Sequence, residues 1–338
     1  MLLGKKTYII AEAGINHNGN FKNAKKLIKE AKNCGVNAIK FQSFKSEKVV
    51  TKNLILAKYQ RKQVRNLSKM IDMIKKYELT EREQKNLQSY AKKLNLDFIS
   101  SAFDLESLSF LINNLRLKIL KIPSGEITNL PYLIKVAKSK KKIILSTGMC
   151  NIKEIESAIN ILIKNGLRKK NITILHCNSS YPTPFRDVNL RVIPKLNQKF
   201  KVDIGYSDHT QGTDASIGAV VFGAKVIEKH FTLNKNWEGP DQKASLNPKE
   251  LRKLVISIRN IEESLGDDKK FKTKSEKINI FYSRKSIVAN KKIKKGEKFT
   301  ETNITVKRPG NGISPMKWFK VLKKKSRFNF NKDQLIKL

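Results

Sequence analysis

Residues 8–42 read YIIAEAGINHNGNFKNAKKLIKEAKNCGVNAIKFQ, and this stretch holds one complete unit of the fold. Tyr8–Glu12 is short, apolar and rich in isoleucine, the composition of a buried strand. Phe21, Ala24, Leu27, Ile28 and Ala31 then recur at helical steps and form a single apolar stripe among lysines. Asn20 stands at the N-cap position and Gly35 just past the far end. Asn37–Gln42 follows as a second apolar run. A strand, an amphipathic helix and another strand predict a crossover between parallel strands.

The alternation continues to about residue 265. The further strand-like runs are Asp97–Ala102, Ile119–Ile122, Ile143–Ser146, Ile172–Cys177, Val202–Tyr206 and Lys225–His230. Helical patterns cover Leu105–Leu115, Leu130–Ser139, Ile152–Asn165, Gln211–Gly223 and Pro248–Leu265. Eight strands alternating with helices close a (β/α)₈ TIM barrel. An open doubly wound sheet is the alternative, but no Gly-x-Gly-x-x-Gly follows the first strand. Residues 46–96 form a long insertion, a basic polar stretch and then helical patterns at Ser68–Lys76 and Thr80–Leu94. It reads either as helical decoration or as a cover over the barrel mouth. Past Gly266 the pattern changes. The expected division is a barrel domain over 1–266, a charged linker over 267–282, and a module of short strands and turns over 283–338. That module is too small for a generous core of its own.

The net charge is +41. The lysines are spread along the chain, many on polar faces of helix-like segments, and are not interleaved with aromatics as a nucleic-acid platform requires. They read as solvated surface, which would also draw an anionic substrate inward. No apolar run approaches the ~18 residues of a membrane span, and Met1–Lys6 lacks the apolar core of a signal peptide. Cys34, Cys150 and Cys177 are scattered and odd in number, which argues against disulfides and thiolate metal sites and for a reducing, cytoplasmic setting.

All four histidines stand where a strand-like run meets a loop, and the active site of such a barrel lies at the C-terminal ends of its strands. His17 follows the first strand. His176 best fits a buried ring with its hydrogen bond satisfied. His209 and His230 end neighbouring strands, and two imidazoles with open positions suit a divalent transition metal completed by water and substrate oxygens. The other strand ends deliver Glu12, Lys40 with Gln42, Ser101, Lys121 with Ser124 and Glu126, Ser146, Ser179 with Tyr181, Ser207, and Glu228. Two lysines among hydroxyls at one rim suit a phosphate or a phosphate-plus-carboxylate substrate.

Several blocks resemble the bacterial sialic acid (N-acetylneuraminate) synthases, in order from about residue 7 to about 320. They are Ala11–Gly19, Lys40–Ser43, Lys121–Glu126, Leu145–Met149, Tyr181–Pro184, Gly205–His209, Ile227–Leu233, Gly239–Asp241 and Lys307–Ile313. The resemblance implies a metal-assisted transferase that condenses phosphoenolpyruvate with open-chain N-acetylmannosamine, releasing phosphate by C–O cleavage. It implies a barrel followed by a small antifreeze-like (SAF, β-clip-type) domain, exchanged between subunits of a homodimer. His209 and His230 would hold Mn²⁺ or Mg²⁺. Lys40, Ser101, Lys121, Ser124, Ser146, Ser179 and Ser207 would hold phosphoenolpyruvate. Gln42, Glu126, Tyr181 and Asp241 would face the sugar, with Arg308 arriving from the other subunit. Glu12 would stabilise the cationic centre at C2 and take a proton from water.

The chain departs from the family pattern at Gln242, where histidine is common, at Ser179, and at Leu322-Lys323-Lys324-Lys325. The run Ile122–Tyr132 is similar to legionaminate synthases as well, so a 2,4-diacetamido-2,4,6-trideoxy hexose is the alternative acceptor. A basic polyanion-binding protein without catalysis is the remote alternative.

Overall fold

The computed structural model describes residues 6–56 and 67–338. The part of the insertion at 57–66 lies outside the described residues. The chain divides into two compact units, Met1–Gly266 and Asp267–Leu338.

In the first unit eight parallel strands close a barrel: β1 (Tyr8–Gly14), β2 (Ala38–Ser43), β3 (Asp97–Ala102), β4 (Ile119–Ile122), β5 (Lys142–Ser146), β6 (Ile172–Cys177), β7 (Asp203–Asp208) and β8 (Val226–His230). β8 returns to β1 with Glu12 opposite His230, which seals the ring. Helices follow the strands and bury their apolar stripes on its outside. The helix Phe21–Cys34 buries Ala24, Leu27, Ile28 and Ala31, capped by the Asn20 side chain on Asn23 N–H and ended by Gly35 at φ 83°. Positive φ there is why glycine serves.

Inside the barrel the two-residue period of a strand decides what meets what. Ile10, Ala38, Ile99, Ile144, Leu175 and Val226 form an apolar plug. Two residues further along those strands, Glu12, Lys40, Ser101, Ser146, Cys177 and Glu228 face inward above it, joined by Lys121 of β4 and Ser207 of β7. Each strand thus gives one side chain to a polar layer on an apolar floor. Gly205 of β7 completes the floor. A Cβ there would lie 2.4 Å from the Val226 carbonyl oxygen and 2.6 Å from Leu175 Cδ2. Gly205→Ala is therefore expected to cost about 1–3 kcal/mol through overpacking, read as a lower urea midpoint with an unchanged slope.

Three elements differ from the sequence reading. Leu105–Leu115 is an α-helix over Leu105–Ser109 that widens into a π-turn over Phe110–Asn114. A helix at Val192–Phe200, between β6 and β7, was not expected. The stretch read as a linker carries a helix, Lys274–Ser283, at whose start the Thr273 N–H and Oγ1 both donate to the Glu276 carboxylate, at 3.1 and 2.9 Å. The rest of the second unit pairs β9 (Ser286–Ala289) with β10 (Ile304–Lys307) antiparallel. Its small core is built on Ile287, Ile293, Phe299, Ile304, Val321 and Phe330.

Candidate active site

A cavity of about 380 Å³ opens at the C-terminal ends of the barrel strands, within the range of small-molecule sites. Its floor is the polar layer. Lys40 Nζ lies 2.7 Å from Glu12 Oε2 and 3.7 Å from Glu228 Oε1, and it donates to Ser101 Oγ at 3.3 Å. Lys121 Nζ lies 3.5 Å from the same Glu228 oxygen and donates to Ser146 Oγ at 2.7 Å. Ser207 Oγ donates to Glu228 Oε1 at 3.0 Å. All four charged groups are buried, so removing one leaves its partner uncompensated.

The four do not behave alike. Burial pushes the Glu12 carboxyl up to about 7, against the pull of Lys40 and with the push of Glu228. Burial also raises Glu228, but Lys121 and Lys40 outweigh it and hold this carboxyl below its ordinary value. Burial draws the Lys121 ammonium down despite Glu228; for Lys40, Glu12 and Glu228 overcome burial and hold it up. The floor thus contains one firmly ionised carboxylate, Glu228, beside one poised near neutrality, Glu12. Two ammonium groups and three serines there match a phosphorylated carboxylate, with lysine as point charge and hydroxyls as directed donors.

On the wall above, the His209 and His230 rings lie 5.4 Å apart between centroids, and Tyr181 packs against both, at 4.1 and 5.7 Å. His209 Nδ1 sits 2.5 Å from the Asn178 carbonyl oxygen. A carbonyl only accepts, so Nδ1 carries the proton and Nε2 is left as a lone-pair donor, the usual outer support of a metal-binding imidazole. His230 Nδ1 is buried with no hydrogen-bond partner. Burial first, then the charges of His209 and Lys40, hold this ring well below its ordinary value. A neutral imidazole with an orphaned buried nitrogen fits a divalent metal. Among the described residues no three His, Cys, Asp or Glu side chains converge as a ligand set. The protein would supply two ligands and leave the remaining positions to oxygens.

Of the residues expected at the site, Glu12, Lys40, Gln42, Ser101, Lys121, Ser124, Ser146, Ser179, Tyr181, Ser207, His209, His230 and Asp241 line the cavity. Gly148 allows two of them to converge: a Cβ there would lie 2.3 Å from Ser179 Oγ and 2.9 Å from Ser124 Oγ. Burial pushes the Asp241 carboxyl up to about 6, against Lys40. Glu126 is not in the lining. The 3₁₀ turn Ser124–Glu126 carries its carboxylate onto Asn129 Nδ2, at 2.6 Å. Arg308 is exposed on the second unit. His176 and His17 are structural: His176 Nε2 bonds the Val188 carbonyl at 2.7 Å, and His17 Nδ1 accepts from Gly19 N–H at 3.0 Å.

Gln242 is buried away from the cavity. Its Nε2 reaches Asn18 Oδ1 at 3.0 Å and the Asn16 carbonyl at 3.2 Å, and its Oε1 accepts from Thr232, so it pins the Gly239–Asp241 loop to the loop after β1. Cys177 and Glu228 line the cavity, as do Ile15, Met70, Met73, Ile74, Phe103 and Met149. Three of these, Met70, Met73 and Ile74, come from the insertion, which therefore helps to wall the mouth.

A parallel barrel with ammonium groups and hydroxyls on its floor and two imidazoles on its wall suits an enzyme that acts on a phosphorylated, anionic substrate. The chain belongs to the NeuB family, whose model matches residues 27–270, and a SAF domain matches residues 284–338. It is 54% identical to the N,N'-diacetyllegionaminic acid synthase of Campylobacter jejuni, over 98% of this chain and 99% of that one. It is 35% identical to the N-acetylneuraminate-9-phosphate synthase of Mus musculus, over 97% and 91%. The crystal structure of N-acetylneuraminic acid (sialic acid) synthetase from Leptospira borgpetersenii superposes with a TM-score of 0.72 at 37% identity, covering 82% of this chain and 92% of that one.

Proposed function

We propose that this enzyme condenses phosphoenolpyruvate with a 2,4-diacetamido-2,4,6-trideoxy hexose, giving N,N'-diacetyllegionaminate and phosphate. The observation that carries the choice of acceptor is the 54% identity to a diacetyllegionaminic acid synthase along the whole chain, against 35% to an N-acetylneuraminate-9-phosphate synthase. The expectation of N-acetylmannosamine as acceptor gives way on that ground. The lining supports the same choice. Ile15, Met70, Met73, Ile74 and Phe103 belong to one apolar cluster and face the cavity. Such a wall suits the methyl end of a 6-deoxy sugar better than a hydroxymethyl or phosphorylated one.

In this reading Lys40 and Lys121 hold the phosphate and carboxylate of phosphoenolpyruvate, with Ser101, Ser124, Ser146, Ser179 and Ser207 as directed donors. A divalent ion, Mn²⁺ or Mg²⁺, held by His209 and His230 would supply Lewis acidity at the sugar aldehyde. Gln42, Tyr181 and Asp241 orient the acceptor so that its C1 meets C3 of phosphoenolpyruvate. Glu12 stands at the floor beside Lys40, where it stabilises positive charge developing at C2 and takes the proton of the water that adds there. Phosphate then departs by C–O cleavage.

A homodimer belongs to the proposal, with Arg308 of one subunit meeting the sugar in the other. Exposed Met316 and Phe319, at 93% and 84%, support a partner surface on the SAF unit. Three free thiols fit a reducing cytoplasmic setting. No helix among the described residues is long and apolar enough to cross a membrane.

The acceptor is tested by measuring kcat/KM for phosphate release with the trideoxy sugar and with N-acetylmannosamine side by side. A preference of tenfold or more for the trideoxy sugar is expected, since one well-placed apolar group is worth ~10–200-fold. Equal use, or preference for N-acetylmannosamine, returns the assignment to sialic acid synthesis.

A further inference from the structure

Directly behind the two imidazoles lies a charged pair that the chemistry does not touch. Asp208 and Lys229 are opposite one another in the β7–β8 register, one residue before His209 and His230 respectively. Alternation along the strands turns Ser207, His209, Glu228 and His230 inward and sends Asp208 and Lys229 to the outer side. Both are fully buried, with Lys229 Nζ 2.9 Å from Asp208 Oδ2. The same ammonium donates to the Thr210 carbonyl oxygen at 2.6 Å. From its seat on β8 it therefore holds the side chain of the residue before His209 and the backbone carbonyl of the residue after it.

Asp208 holds the same segment from within. Its Oδ1 accepts from Thr210 N–H and Oγ1, each at 2.8 Å, and its Oδ2 accepts from Ser216 Oγ at 2.6 Å, in the helix Asp214–Val221. From the opposite side Thr183 N–H bonds the His209 carbonyl oxygen at 2.9 Å.

We propose that the Asp208–Lys229 pair is a positioning device for the metal ligands, a strut that fixes the separation of His209 and His230. The inference rests on these two imidazoles holding a metal ion. A stabilising role alone would not require the pair to sit at this register or Lys229 to bracket His209. A buried ion pair can be replaced by neutral groups of similar volume with little loss of fold. The pair touches neither ring, so it would act through the backbone that carries them, with an effect on metal affinity of the ~10–100-fold order that loss of an imidazole's outer support costs. The two roles are therefore separable.

The test is the double variant Asp208→Asn/Lys229→Met, which leaves no unpaired charge. Mn²⁺ affinity is measured by electron paramagnetic resonance of the free ion, with phosphoenolpyruvate affinity and thermal midpoint measured alongside. The expected result is a 10–100-fold weaker Mn²⁺ Kd, phosphoenolpyruvate affinity close to that of the parent protein, and turnover recovered at high Mn²⁺. A folded double variant with the parent's Mn²⁺ affinity overturns the proposal. Should the double variant fail to fold, Lys229→Arg keeps the charge and changes the reach and donor geometry of the strut. A weaker Mn²⁺ Kd in that folded variant supports the strut, and an unchanged one sinks it. A parent protein that binds no Mn²⁺ would remove the metal reading itself, and the strut with it.

Discussion

His209→Ala and His230→Ala are each expected to lower turnover by about 10³-fold, while binding of phosphoenolpyruvate without metal stays near that of the parent enzyme. Stabilising developing charge on a carbonyl through a bound ion is worth several kcal/mol, and each 1.36 kcal/mol is a factor of ten. The two rings lie 5.4 Å apart between centroids, tilted by 50°, with His209 fixed on Asn178 and His230 left without a hydrogen-bond partner at Nδ1. Among the described residues no other imidazole lines the cavity. The substrate phosphate, by contrast, is assigned to Lys40 and Lys121 on β2 and β4, away from β7 and β8. Isothermal titration separates the two effects. A variant that retains parental turnover would take the imidazoles out of the chemistry.

Glu12→Gln is the second large effect, a fall in kcat of ~10²-fold or more, the range for loss of a general base. Glutamine keeps the shape and removes the charge and the proton acceptor. The parent enzyme should carry an acid limb: burial pushes this carboxyl up to about 7, and the working form is the carboxylate, so turnover falls as the pH drops through that value. The limb disappears in Glu12→Gln. For stability the sign is opposite. The folded value stands above the ordinary 4.5, so proton binding favours the fold fully below pH 4.5, and that contribution is lost as the pH rises towards 7. Glu12→Gln should therefore lose this pH dependence of stability between pH 4.5 and 7, measured by denaturant unfolding across that range. Unchanged kcat would remove Glu12 from the mechanism.

Much of this is legible in the chain because each signal has a local cause. β-branched runs gave all eight barrel strands, and the period of two that joined Lys40 to Gln42 also leads from Val226 to Glu228 and on to His230. The cap at Asn20 fixed the start of the first helix, while the Asn247–Glu250 box ahead of Pro248–Leu265 is a signal of the same kind that the structure brought out. The helix Val192–Phe200 was hidden by Pro194, which a first turn tolerates although it reads as a breaker. The helix Lys274–Ser283 had a visible signal in Thr273-x-x-Glu276 that the surrounding lysines obscured.

At the site, strand-borne residues were easier to place than loop-borne ones. Glu126 sits only five residues past Lys121, yet one 3₁₀ turn swings it onto Asn129. Met70, Met73 and Ile74 reach the cavity from a helix far along the insertion, a contact that no spacing rule anticipates. The charge of +41 carried little of the function, since the lysines that matter here, Lys40 and Lys121 at the floor and Lys229 behind the imidazoles, are buried.

The most direct test places ¹⁸O in the bridging oxygen of phosphoenolpyruvate and follows the label after reaction with Mn²⁺ and the diacetamido-trideoxy sugar. The account predicts that the label leaves in inorganic phosphate, in step with one nine-carbon acid formed, and that a chelator stops both. Label retained in the sugar acid, or no phosphate released with any amino-sugar acceptor, would contradict it.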